Sequence, residues 1–151
     1  RRDRRSWRYW AGAAVAAVVI AVAAAGGGYL AGRKTDSSST TVTASAALAQ
    51  MPGGPAGVQG VATLHKTATG PRVSIEAASL PARVGYYEVW LYNPEANIMV
   101  AIGTLPQSGI ASFPVPPGLD LDSFQIVDIS AQNYDGDPVH QQSVLRGPLL
   151  S

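Results

Sequence analysis

The sequence predicts an all-β fold: a single N-terminal transmembrane α-helix followed by an antiparallel β-sandwich of about seven strands. Three observations point there. Residues 11–30, AGAAVAAVVIAVAAAGGGYL, carry no charge. Residues 35–57, TDSSSTTVTASAALAQMPGGPAG, are almost entirely Ser, Thr, Ala, Gly and Pro, with Asp36 as their only charge. From residue 58 onward, short apolar stretches recur at even intervals, each broken by Gly, Pro, Asn or Asp.

The first segment, residues 1–9, is a basic cytoplasmic head. Arg1, Arg2, Arg4, Arg5 and Arg8 face only Asp3 there. The next, residues 10–32, is the membrane helix. Its apolar core, wound as an α-helix, covers roughly 30 Å, the thickness of a bilayer's hydrocarbon layer. Trp7, Tyr9 and Trp10 flank one end and Tyr29 the other, where interfacial aromatics belong. The arginine excess before the run places the N-terminus in the cytoplasm and the bulk of the chain outside. The run is long for a signal peptide, so the expectation is a retained single-pass anchor in the cell membrane. The head interleaves arginine with aromatics, but beside a membrane span it fits anionic lipid better than nucleic acid.

Residues 33–57 read as a flexible linker, because they hold too little apolar bulk for a core. The outer domain is then residues 58–151. Candidate strands are 58–67, 72–80, 86–92, 99–105, 110–115, 123–131 and 143–149. The breaks ATGP, PARVG, NPEAN, PQSG, PPGLDLD and NYDGDPVHQQ separate them. Alternation assigns faces. Tyr87, Val89 and Leu91 point inward, and so do Val127 and Ile129. Tyr86, Glu88, Trp90 and Tyr92 share the other face, because an unpaired Glu88 does not belong in a core.

Composition excludes several chemistries. The chain of 151 residues has no cysteine, hence no disulfide, thiol nucleophile or cysteine zinc site. Its two histidines, His65 and His140, lie in a candidate strand and a turn-rich loop, and no GxSxG elbow accompanies them. No catalytic residue, cofactor or metal site is assigned. Asp135-Gly136-Asp137-Pro138 lacks the ligand spacing of a calcium loop and reads as a turn.

Three segments carry a resemblance: YYEVWLYNPEANIMVAIGTL, FPVPPGLDLDSFQIVDIS and DGDPVHQQSVLRGPL, in that order. Together they are similar to the extracytoplasmic C-terminal domain of the anti-sigma-K factor (RskA-like) family. The resemblance implies a cytoplasmic sigma-binding domain, a membrane helix and an outer domain. It also implies membrane proteases that release the sigma factor when a signal arrives. The short head leaves no room for a sigma-binding domain after Arg1: either such a domain precedes it, or the chain resembles a family member reduced to an anchored outer domain.

The function expected from residues and resemblance together is a membrane-anchored, anti-sigma-factor-like regulator. The alternative is a cell-envelope binding module contacting a glycan or protein through Tyr86, Trp90 and Tyr92. Arg146, on an otherwise apolar closing strand, calls for a carboxylate partner, with Glu88 or Glu76 in view.

Overall fold

The computed structural model describes residues 40–149. The basic head, the membrane helix of residues 10–32 and the lipid contact expected of them lie outside the described residues. Within these, the chain forms eight strands: β1 (Thr41–Gln50), β2 (Gln59–Thr67), β3 (Gly70–Ala78), β4 (Tyr86–Asn93), β5 (Ile98–Leu105), β6 (Ile110–Pro114), β7 (Ile126–Gln132) and β8 (Gln142–Pro148). β2 to β8 overlap the seven strands expected from the sequence.

β1 corrects the linker assignment of residues 33–57. Its burial alternates through Ala44, Ala46 and Leu48, the rhythm of a half-buried strand. Two of those three inward side chains are alanines. Small residues give the alternation so little contrast that the stretch reads as polar spacer, yet alanine is what fits between closely apposed backbones.

All pairings are antiparallel, in the order β5-β4-β7-β8-β1-β2-β3-β6. The order folds into two packed layers. One holds β1, β2, β3 and β6; the other holds β8, β7, β4 and β5. A single corner links them, through Ala49 opposite Arg146 and Gln50 opposite Leu145. β5 and β6 end the two layers and follow one another in the chain, so the sandwich is a nearly closed barrel.

The core fills from both layers. Val73 and Ile75 come from one; Tyr87, Val89, Leu91, Val127 and Ile129 come from the other, all buried. The inward assignment of these last five therefore holds. Leu91 lies opposite Val127 and Val89 opposite Ile129, so the β4–β7 pair is a continuous apolar plate. Tyr87 keeps its hydroxyl satisfied by donating to the Pro81 carbonyl at 2.8 Å.

The turn from β5 to β6 depends on Gly109. Its φ is +72°, and a Cβ there would collide with the Ala77 carbonyl. Its own carbonyl accepts the Ala77 amide at 2.9 Å, which ties the turn to β3. Gly109→Ala is expected to lower unfolding free energy by about 1–3 kcal/mol, read as a lower urea midpoint.

Candidate functional site

The face of the β4–β7–β8 layer turned away from the core holds the residues of interest. At one level across three strands, Trp90 lies opposite Asp128, and Asp128 opposite Arg146. Asp128 is fully buried. A buried carboxylate needs donors, and Asp128 has three. His140 Nε2 lies 2.7 Å from Oδ1, Ser143 Oγ donates to Oδ2 at 2.8 Å, and Arg146 Nε donates to Oδ2 at 2.7 Å. Burial pushes the Asp128 carboxyl up, but the hydrogen bonds from His140, Ser143 and Arg146, with the Arg146 charge, outweigh it and hold the group below the usual carboxylate range.

The pair expected between Glu88 and Arg146 does not form. Register decides it: Arg146 faces Asp128 directly on the neighbouring strand, whereas Glu88 is two strands away, opposite Ser130. Glu88 instead accepts a hydrogen bond from Gln132 Nε2 at 3.2 Å.

A cover explains how polar residues come to be buried on an outer face. The segment between β7 and β8, residues 133–141, lies across it. Gln132 anchors the segment, donating to the Val139 carbonyl at 3.1 Å and accepting the Gln141 amide at 2.8 Å. Asp135 accepts the Asp137 amide and Asp137 the Val139 amide, each at 3.0 Å. Those oxygens are spent shaping the turn, as expected of an Asp-Gly-Asp-Pro run.

The aromatic stripe is on the expected face, but it is not an open platform. Trp90 is only 6% exposed. Its Nε1 donates to Ser130 Oγ at 2.8 Å, and the His140 ring meets it edge-on at 5.3 Å. Tyr86 packs against Tyr134, their centroids 5.6 Å apart, and the Arg146 guanidinium sits 5.1 Å from the centre of the Tyr92 ring. Trp90 thus packs beside a buried ion pair and offers no ring face to a glycan, while Tyr86 and Tyr92 stay half-buried.

Ser143, His140 and Asp128 meet here, the residue types of a hydrolytic triad, but their arrangement is wrong for one. The same His140 nitrogen, Nε2, approaches both Asp128 and Ser143, the latter at 3.3 Å. A triad needs one ring nitrogen on the carboxylate and the other on the hydroxyl. Ser143 also spends its proton on Asp128 and accepts from Arg146 Nη2 at 3.1 Å, so its oxygen is not activated.

The family model for the C-terminal part of anti-sigma-K factor RskA matches residues 10–144, from the apolar run into β8. The chain belongs to this family. Its members are regulatory domains rather than enzymes, in keeping with a serine whose proton is already committed. Neither the comparison with curated proteins nor that with solved structures returns a match. In this RskA-family domain, sequence reasoning missed Asp128, His140, Ser143 and Gln132. One signal was present: Asp128, Ser130 and Gln132 alternate along β7, marking a polar face that some other segment must cover.

Proposed function

We propose that this chain is the anchored outer part of an anti-sigma-factor regulator. Its helix of residues 10–32 crosses the cell membrane with the N-terminus inside, and its β-sandwich lies outside and controls proteolysis of the chain. The sigma factor is held by a cytoplasmic domain of the same protein. The observation that carries this reading is the extent of the family match. It takes in the charge-free run and the sandwich as far as the start of β8.

Two experiments test it. The chain has no cysteine of its own, so single cysteines report topology cleanly. A membrane-impermeant maleimide on intact cells should label Ser37→Cys and spare Ser6→Cys; the reverse pattern overturns the orientation. Deleting residues 41–149 from the full reading frame should abolish signal-dependent output of a sigma-driven reporter. A normal response after the deletion would sink the regulatory reading.

A further inference from the structure

We propose that one end of the sandwich, built around Tyr86 and Tyr134 with Val84 and Val139 beside them, is a docking surface for a basic segment of another protein. The segment it fits carries lysine or arginine next to an apolar side chain. Such docking is independent of the regulatory reading above.

Two stretches of chain meet at this end. Arg83 Nη2 donates to Asn133 Oδ1 at 2.9 Å, and Gly85 lies so close to the Gln132 carbonyl that a Cβ would collide with it. Gln132 Nε2 in turn donates to both Glu88 and the Val139 carbonyl. These contacts gather into one region Val84, 90% exposed, Tyr134, 76%, and Val139, 64%. They are half of the six large apolar side chains exposed among the described residues. Exposed apolar groups scattered singly need no explanation, whereas a cluster of them marks a contact surface. The backbone does not call for them. Its bends are made by Gly85, with φ +132°, and by the Asp135-Gly136-Asp137 turn. Polar side chains would serve these turns at least as well.

The surface is acidic as well as apolar. Glu88, Asp135 and Asp137 border it without a cationic partner, since both ion pairs among the described residues are made by Asp128. Arg83 is turned to Asn133 and the Tyr86 carbonyl, and His140 to Asp128. The amide hydrogen bonds that Asp135 and Asp137 accept shape the turn and leave their charge in place. Glu88 and Asp135 act on Tyr86, whose hydroxyl is raised above its ordinary pKa, by desolvation first and then by those two charges. Tyr86 and Tyr134, their rings 5.6 Å apart, therefore form a seat that attracts a cation twice, through the ring faces and through the carboxylates. A lysine or arginine also lays its stem on apolar neighbours while its head reaches the charge. Anionic glycans and lipids are repelled here, and a neutral sugar would leave the carboxylates unanswered.

Position suits a docking role. β1 starts at Thr41 and runs ten residues, about 30 Å, before the chain reaches Pro52, whose carbonyl Gln142 contacts at the start of β8. The patch is thus at the end of the sandwich opposite the chain's entry. Its turn is already braced by Gln132 and by the bond from Gln141 Nε2 to Asp135 at 2.9 Å, so little ordering is left to do on binding.

The test uses the isotope-labelled full chain in non-ionic detergent micelles, with amide NMR shifts as the readout. The probes are two end-blocked pentapeptides, Lys-Leu-Lys-Leu-Lys and Glu-Leu-Glu-Leu-Glu. The basic peptide should shift amides within residues 83–88 and 133–139 saturably, and the acidic one should leave them in place. Raising salt from about 0.05 M to about 0.5 M should weaken the binding severalfold. Tyr134→Ala, and Glu88→Gln combined with Asp135→Asn, should each weaken it about fivefold or more. Tyr134 is exposed, so its variant decides the matter even if the double variant fails to fold. No saturable shift at millimolar basic peptide overturns the proposal, and so do equal shifts from both peptides. Shifts of the same amides on concentrating the chain without peptide would assign the surface to a second copy and overturn it too. None of these results touches the topology and reporter experiments.

Discussion

Trp90→Ala is expected to lower the unfolding free energy by about 3–5 kcal/mol, the range for deleting a large buried aromatic. Domains of this size hold about 5–15 kcal/mol in total, so the variant should be largely unfolded at modest urea. Three losses add up. The cavity left on the β4 face removes the surface against which His140 stands. Ser130 Oγ, fully buried, loses the indole donor at 2.8 Å. The cover of residues 133–141 then loses part of its footing. Trp90→Phe separates these contributions: it keeps most of the ring and loses the hydrogen bond, for about 1–2 kcal/mol. Far-UV circular dichroism against urea is the measurement, since fluorescence would lose its own reporter. A Trp90→Ala midpoint equal to wild type would mean the indole is not part of the packing.

Asp128→Ala should cost a similar amount, about 3–5 kcal/mol, because removing one partner from a buried ion pair strands the others. Arg146, its side chain 29% exposed, can turn partly to water, whereas His140 and Ser143 lose their acceptor beneath the cover. Asp128→Asn keeps the shape and loses the charge, and should fall between wild type and Ala. The same carboxylate predicts a pH dependence. Its folded pKa is lowered, so the unfolded chain binds a proton more readily. Its contribution is complete above the unfolded value of about 3.9 and is lost as pH falls through the lower folded value. The wild-type urea midpoint should drop below about pH 4. Asp128→Asn should show a smaller drop; an identical one would assign the acid sensitivity to other carboxylates, such as Asp120 and Asp135, whose pKa values are also lowered.

What could be read from the sequence was whatever local alternation controls. Tyr87, Val89 and Leu91, with Val127 and Ile129, were placed inward by period two alone, since bulky apolar residues next to polar ones leave one solution. β1 was not legible, because alanine and serine differ too little to mark a face. Trp90 was placed on the correct side of its strand, but its burial follows from residues 133–141 folding back across the sheet. A run of turn formers states that the chain bends and is silent about where it lands. The partner of Arg146 was illegible for another reason. A pair across strands is set by register, and register depends on the length and shape of the β7–β8 connection as a whole.

The two kinds of fastening in this domain close loops of very different length. Asp128, His140, Ser143 and Arg146 come from one hairpin, so the buried ion pair can assemble as soon as that hairpin collapses. The corner between β1 and β8 brings Gln50 against Leu145 and Ala49 against Arg146, almost the full span of the described chain. Loop closure over such a distance carries the largest entropic cost in the fold. During synthesis β1 is made first, yet it waits for nearly everything else before its second neighbour exists. A nascent copy should therefore pass through an interval in which its β7–β8 half is riveted and its entry strand is held by β2 alone.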